Sequence, residues 1–187
     1  PRAPHSFPPP RSSELPPEAP VPNAPSCIYA GTAWIRESTE GGVFRRPVDG
    51  GDWVKLTNGL PADTDVHAIT VHPTDPATVY LGTKSGPYVS SDHGNHWKRM
   101  NFPFPGVQAW SILVMPSNPL RMYIGGAPVS VYRSDDAGET WRALPDPKMP
   151  GRIAMPLPCV VMRLAAQPTD PEVLFATPQV GGTMRAL

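Results

Sequence analysis

Two short strings in this chain place an acidic residue, a glycine and a tryptophan at the same offsets: SSDHGNHW at 90–97 and SDDAGETW at 134–141. Carboxylates such as Asp92 and Asp136 can serve as acid–base groups or metal ligands. In a tight turn they can instead accept backbone N–H groups that would otherwise be orphaned. His93 and His96 form an H-x-x-H string. Inside a turn there is no helical face to align them and no third ligand is evident, so neither a metal nor a cofactor is expected. Other carboxylates stand at Glu40 in STEGGVFR and at Asp63 and Asp65 in PADTDVH. These are the weak candidates for catalysis. Arg45 in FRRP has the planar fork that suits a carboxylate. Trp110 in VQAWSILV can serve as core or offer a ring face for stacking.

The spacing of the tryptophans separates these alternatives. Trp53, Trp97 and Trp141 stand 44 residues apart. A second unit recurs ahead of them: VHPTDPATVYLGT at 71–83, VMPSNPLRMYIGG at 114–126 and AQPTDPEVLFATP at 166–178, with a fragment, PSCIYAGT, at 25–32. Tyr29, Tyr80, Tyr123 and Phe175 hold one column. Gly31, Gly82 and Gly125 hold another, where the last copy has Thr177. A residue that recurs once per unit reads as part of the architecture. Ser90, Asp92, Gly94, Trp97, Ser134, Asp136, Gly138, Thr140 and Trp141 are therefore expected to lock a hairpin. Gly94 and Gly138 would supply its left-handed backbone.

Each unit divides into short apolar runs separated by turn residues. In the second unit these are VHAITV, TVYLGT, PYVSS and HWKRM, and continuous helical periodicity is absent. Four strands in about 44 residues fit one blade of a β-propeller. The expected fold is all-β, with four-stranded antiparallel blades at 26–57, 66–101, 109–144 and 159–187. The first unit shows no innermost strand and the last stops in its third, which leaves about three and a half blades. A propeller closes with typically four to eight. Three arrangements stay open: a part of a longer propeller, a ring completed by another chain, or a strained four-bladed ring.

The pattern Ser-x-Asp-x-Gly-x-Thr-Trp, complete at 134–141 and kept at 90–97 with His96 in the threonine place, resembles the Asp-box, or bacterial neuraminidase repeat. That resemblance covers the chain from about Ser26 onward and implies the propeller fold of the sialidase-like superfamily. The superfamily includes sialidases, xyloglucanase-type glycoside hydrolases, sortilin-like ectodomains and photosystem assembly factors. It implies that the hairpin lies at the blade periphery and that the location is extracytoplasmic, secreted or periplasmic. FRRPVDGGDW at 44–53 departs from the pattern, with Arg46 and Val48 where serine and aspartate belong. FRRP also resembles the sialidase Phe-Arg-Ile-Pro motif, but Arg45 holds the same blade position as Arg133. STEGGVFR resembles the Thr-Asp-x-Gly-Gly stretch of xyloglucanases, with Glu40 near the place of the catalytic aspartate. Asp63 and Asp65 precede an inner strand, where they would line the propeller mouth.

Composition sets the remaining bounds. Sixteen basic and sixteen acidic side chains give a formal charge of zero, so no nucleic-acid partner is expected. No apolar run has the length of a membrane span. Of 28 prolines, many crowd residues 1–25, read as an extended or disordered arm. Cys27 and Cys159 are too few for a disulfide scaffold, and read as free thiols or one long-range bridge. The first functional expectation is a non-catalytic binding or assembly module, with another protein chain or a second copy completing the ring and a glycan as a further ligand. The alternative is a fragment of a secreted sialidase-like or xyloglucanase-like glycoside hydrolase.

Overall fold

The computed structural model describes residues 26–33, 41–145, 159–179 and 184–186. The proline-rich arm and Glu40 lie outside the described residues. Fourteen described strands form four antiparallel sheets. The first contains β1 (Cys27–Gly31), β2 (Val43–Pro47) and β3 (Val54–Leu56), in that order. The second runs β4 (Val66–Val71), β5 (Val79–Thr83), β6 (Gly86–Ser90) and β7 (Lys98–Arg99). The third repeats it with β8 (Gln108–Val114), β9 (Met122–Ala127), β10 (Ser130–Ser134) and β11 (Arg142–Ala143). The fourth has β12 (Val161–Gln167), β13 (Asp170–Pro178) and β14 (Met184–Ala186). The fold is that of β-propeller blades, and among the described residues two four-stranded sheets stand between two three-stranded ones.

The period-2 alternation of each strand explains the stacking. Side chains of one parity face the preceding sheet and those of the other face the next. Val79, Leu81, Tyr88 and Trp97 pack back on Val43 and Leu56 of the first sheet. Tyr80 and Met100 pack forward on Met122, Ile124, Tyr132 and Trp141 of the third. Tyr123 and Val131 pack forward on Leu174 and Ala176 of the fourth. Full burial of one such large side chain stabilises by about 2–3 kcal/mol. Two hydroxyls stitch the innermost strands together: Thr70 Oγ1 donates to the Ile112 carbonyl at 2.9 Å, and Ser111 Oγ to the Val161 carbonyl at 2.9 Å.

The outermost strands are shorter than the sequence suggests. HWKRM contributes only Lys98 and Arg99, because Trp97 turns inward to 5 % exposure while its N–H donates to the Asn58 carbonyl of the preceding loop at 2.9 Å. In the first sheet the hairpin survives without serine and aspartate. Gly50 and Gly51 take φ of 119° and 108°, and Arg45 pairs with Val54.

Candidate functional site

The two complete Ser-x-Asp-x-Gly turns have the same geometry. Ser134 Oγ accepts the Gly138 N–H at 2.8 Å and donates to Asp136 Oδ1 at 2.7 Å. That same oxygen accepts the Thr140 N–H at 2.9 Å, while the Thr140 hydroxyl donates to Oδ2. At the earlier turn Ser90 Oγ accepts the Gly94 N–H at 2.8 Å, and Asp92 Oδ1 accepts the His96 N–H at 2.9 Å. His96 Nδ1 lies 2.6 Å from Asp92 Oδ2, which is where the threonine hydroxyl acts in the other copy. These bonds to the ionised form hold the Asp136 carboxyl down at about 2, and Asp92 lower still. The left-handed backbone extends over two residues, His93 and Gly94 or Ala137 and Gly138. Only the glycine was evident from sequence. The Trp141 indole N–H donates to the Gly138 carbonyl at 3.0 Å.

Arg45 is engaged within the protein. Its guanidinium donates to the His93 carbonyl and to Asn95 Oδ1 of the next sheet's turn. Arg133, in the same strand position, pairs with Asp135 and Glu172. Among the described residues no group of three His, Cys, Asp or Glu is placed to hold a metal. No described helix is long and apolar enough to cross a membrane. Cys27, at the start of β1, and Cys159, just before β12, are not joined in a disulfide.

The opposite end of the sheets carries different chemistry. There the innermost strands begin and the β5–β6 and β9–β10 turns close. The Val66 N–H donates to the Thr32 carbonyl at 3.0 Å, and the Lys84 N–H to the Asp65 carbonyl at 3.1 Å. Thr32 also pairs with Gly42, so β1 ends and β2 begins at this end. Asp63 is exposed and Asp65 half-buried. The innermost strands share a further feature. Each breaks its pairing register at one residue near its start, passing over His67, Trp110 and Met162 respectively. A bulge re-aims a side chain, and bulges gather beside functional sites. Here the His67 and Trp110 rings stack across the sheet boundary, with centroids 3.9 Å apart and planes 18° from parallel. His67 Nε2 lies 3.7 Å from Asp65 Oδ1. Burial pushes the His67 pKa below its usual range, against the Asp65 carboxylate that raises it. Met162 is half exposed, at 50 %. Sequence brought Asp63, Asp65 and Trp110 into consideration separately, and missed His67 and Met162.

No protein-family profile matches the chain. It is similar to the xyloglucanase Xgh74A of Acetivibrio thermocellus, with 28% identity over 136 residues, covering 56% of this chain and 16% of that enzyme. It is also similar to a xyloglucanase of a Paenibacillus species, with 29% identity over 136 residues and 13% of that enzyme covered. The chain therefore spans a small part of the length of the relatives it matches. Among solved structures it resembles an ancestral GH74 enzyme, with TM-score 0.63 and 16% identity over 80% of this chain and 20% of that one. It also resembles the GH74 xyloglucanase of Xanthomonas campestris, with TM-score 0.61, 16% identity, and 86% and 26% covered. A third is YCF48 from Cyanidioschyzon merolae, with TM-score 0.56, 12% identity, and 76% and 43% covered. These likenesses place the chain among β-propellers of the GH74 and YCF48 kind at the level of fold.

Proposed function

We propose that this chain is a segment of an extracytoplasmic, xyloglucanase-like propeller that binds a β-glucan at the mouth formed by Asp65, His67, Trp110 and Met162. The similarity to two xyloglucanases carries the reading. The end of the sheets where the three innermost strands bulge, and where His67 lies beside Asp65 and against Trp110, supports it. An indole offers a flat apolar surface to the CH face of a pyranose ring, and nearby carboxylates accept its hydroxyls. The turns around Asp92 and Asp136 are read as Asp-boxes of a sialidase-like repeat, with a structural role at the opposite end. Glycoside hydrolysis needs two carboxyl groups flanking the scissile bond. Asp65 is the best-placed described candidate, and the second acid is assigned to Glu40 or to a part of the longer protein. The test is binding and hydrolysis of xyloglucan oligosaccharides by the whole protein. Binding lost in Trp110→Ala, with turnover lost in Asp65→Asn, is the expected result. No binding to any β-glucan overturns the reading.

One observation favours a second reading, an assembly module completed by another chain. The back of the first sheet exposes the columns that the other sheets bury. Ile28 is 38 % and Trp53 44 % exposed, against 0 % for Val79, 5 % for Trp97 and 9 % for Trp141. A further blade from the same protein, a second copy or another protein would cover this face. Native mass spectrometry of the intact protein distinguishes a monomer from an oligomer or a complex.

A further inference from the structure

We infer that His67 is a built-in occupant of the Trp110 ring face, holding the propeller mouth closed to ring-shaped ligands until the imidazole swings out. The stack joins two bulged residues on neighbouring innermost strands, β4 and β8. Its near-parallel geometry is the one a ligand ring would adopt on an indole. The His67 side chain is only 2 % exposed, so the occupant is packed in place.

The packing leaves the imidazole poorly served. Nδ1 is buried without a hydrogen-bond partner. Nε2 faces Asp65 at 3.7 Å, beyond hydrogen-bond length. Departure to solvent therefore gives up the hydrogen bond to the Ala109 backbone and rehydrates the unpartnered Nδ1. Stacking, burial and the Ala109 backbone are what keep the ring in.

Protonation tips that balance. Facing the ring are Asp65 at the entry to β4, the Ala109 backbone on β8 and Lys84 in the β5–β6 turn. Asp65 and Ala109 favour the charged ring, while burial and Lys84 oppose it, and burial is the largest influence. The stacked ring is thus harder to protonate than a free one. By linkage, a proton binds the swung-out ring more tightly than the stacked ring, so acidification favours the open mouth. The ligand half of this inference rests on the glycan reading above. The conformational half does not.

The experiment uses the whole chain labelled with 5-fluorotryptophan, with the Trp110 signal assigned by its loss in Trp110→Phe. A soluble paramagnetic agent reports exposure by fluorine NMR at about pH 8 and about pH 5, on either side of the ordinary imidazole range. Trp110 should be shielded at the higher pH and exposed at the lower. His67→Ala should expose it at both, and His67→Phe, a ring that does not titrate, should shield it at both. Equal shielding of the wild type at both pH values overturns the inference, whether or not the variants fold. So does a His67→Ala protein with Trp110 still shielded. Xyloglucan oligosaccharide binding, stronger in His67→Ala than in His67→Phe, joins the two halves. Exposure that changes as expected with no glycan bound by any variant removes the glycan reading and leaves the occupant.

Discussion

The Tyr29 hydroxyl donates to the carbonyl of His93 at 3.0 Å, across a boundary between sheets and 64 residues of sequence. Arg45 donates to the same carbonyl, and Asn58 Nδ2 donates to the neighbouring Asn95 carbonyl at 3.0 Å. The turn of one blade is therefore held by three side chains of the blade before it. At the next boundary Asn101 Nδ2 donates to the Glu139 carbonyl at 3.0 Å, so the amide element of the grip recurs. A propeller blade needs its neighbour to bury its apolar face. Here it also needs the neighbour to satisfy carbonyls that point outward from a left-handed turn.

Tyr29→Phe tests that coupling directly. It removes one hydroxyl and keeps the ring in a column where Phe175 already stands. The expected cost is about 1 kcal/mol, the net worth of a typical hydrogen bond. Arg45→Ala should cost a comparable amount, and the double variant less than the two together, because both donors share one carbonyl. Thermal melts of the four proteins check this. Full additivity would show that the two donors act independently.

The carboxylates of Asp92 and Asp136 predict an acid limb of stability. Asp136 is held at about 2, below its ordinary 3.8, chiefly by the Thr140 hydroxyl and next by the Thr140 N–H. A carboxylate with a lowered folded pKa contributes stability that is fully present above its unfolded value. That contribution is lost as pH falls toward the folded one. The loss should therefore run between about pH 4 and about pH 2, with Asp92 extending it further down. Asp136→Ala should lower the melting temperature at neutral pH, flatten this part of the profile and leave ligand binding intact. Melts across that range decide the matter. An unchanged melting temperature would remove the structural role assigned to the turn.

The architecture was legible because it repeats. Three tryptophans at equal spacing and two copies of one turn located the hairpins, and the proline-aspartate turns located the strands between them. The mouth was far less legible. A bulge at His67, Trp110 or Met162 is fixed by the register between two strands, and no local residue pattern encodes it. The stack of His67 on Trp110 joins residues of different blades, and the repeat unit shows one tryptophan where its neighbours carry a histidine and a methionine. Variation within a repeat column was the available signal: the positions at the starts of the inner strands differ where the turns stay constant. The left-handed residues before Gly94 and Gly138 were hidden for another reason, since His93 and Ala137 are unremarkable in type and are held at φ 58° by the bonds around them.

The two cysteines make a simple check on the arrangement of the ends. No disulfide joins them, and both are half-buried, Cys27 at the start of the first sheet and Cys159 just before the fourth. Alkylation of the unfolded chain without reductant should add two labels, and prior reduction should not change the mass. A mass that rises only after reduction would mean that the first and fourth sheets are bridged.

Two glycines separate backbone strain from close approach. Gly59 and Gly106 both take positive φ, 85° and 78°. A Cβ at Gly106 would meet nothing within 4 Å, whereas at Gly59 it would run into the Trp97 carbonyl of the adjacent blade. That contact is with backbone, so no side-chain rotation relieves it. Gly106→Ala should cost about 1 kcal/mol, the penalty of a left-handed conformation alone. Gly59→Ala should cost this and about 1–3 kcal/mol more, because the loop after β3 must retreat from Trp97 and give up the bond from its N–H to Asn58. Denaturant titrations of both variants measure the difference. Equal destabilisation would mean that the first blade can draw back from the second without loss, and that the grip on the His93 turn does not fix their spacing.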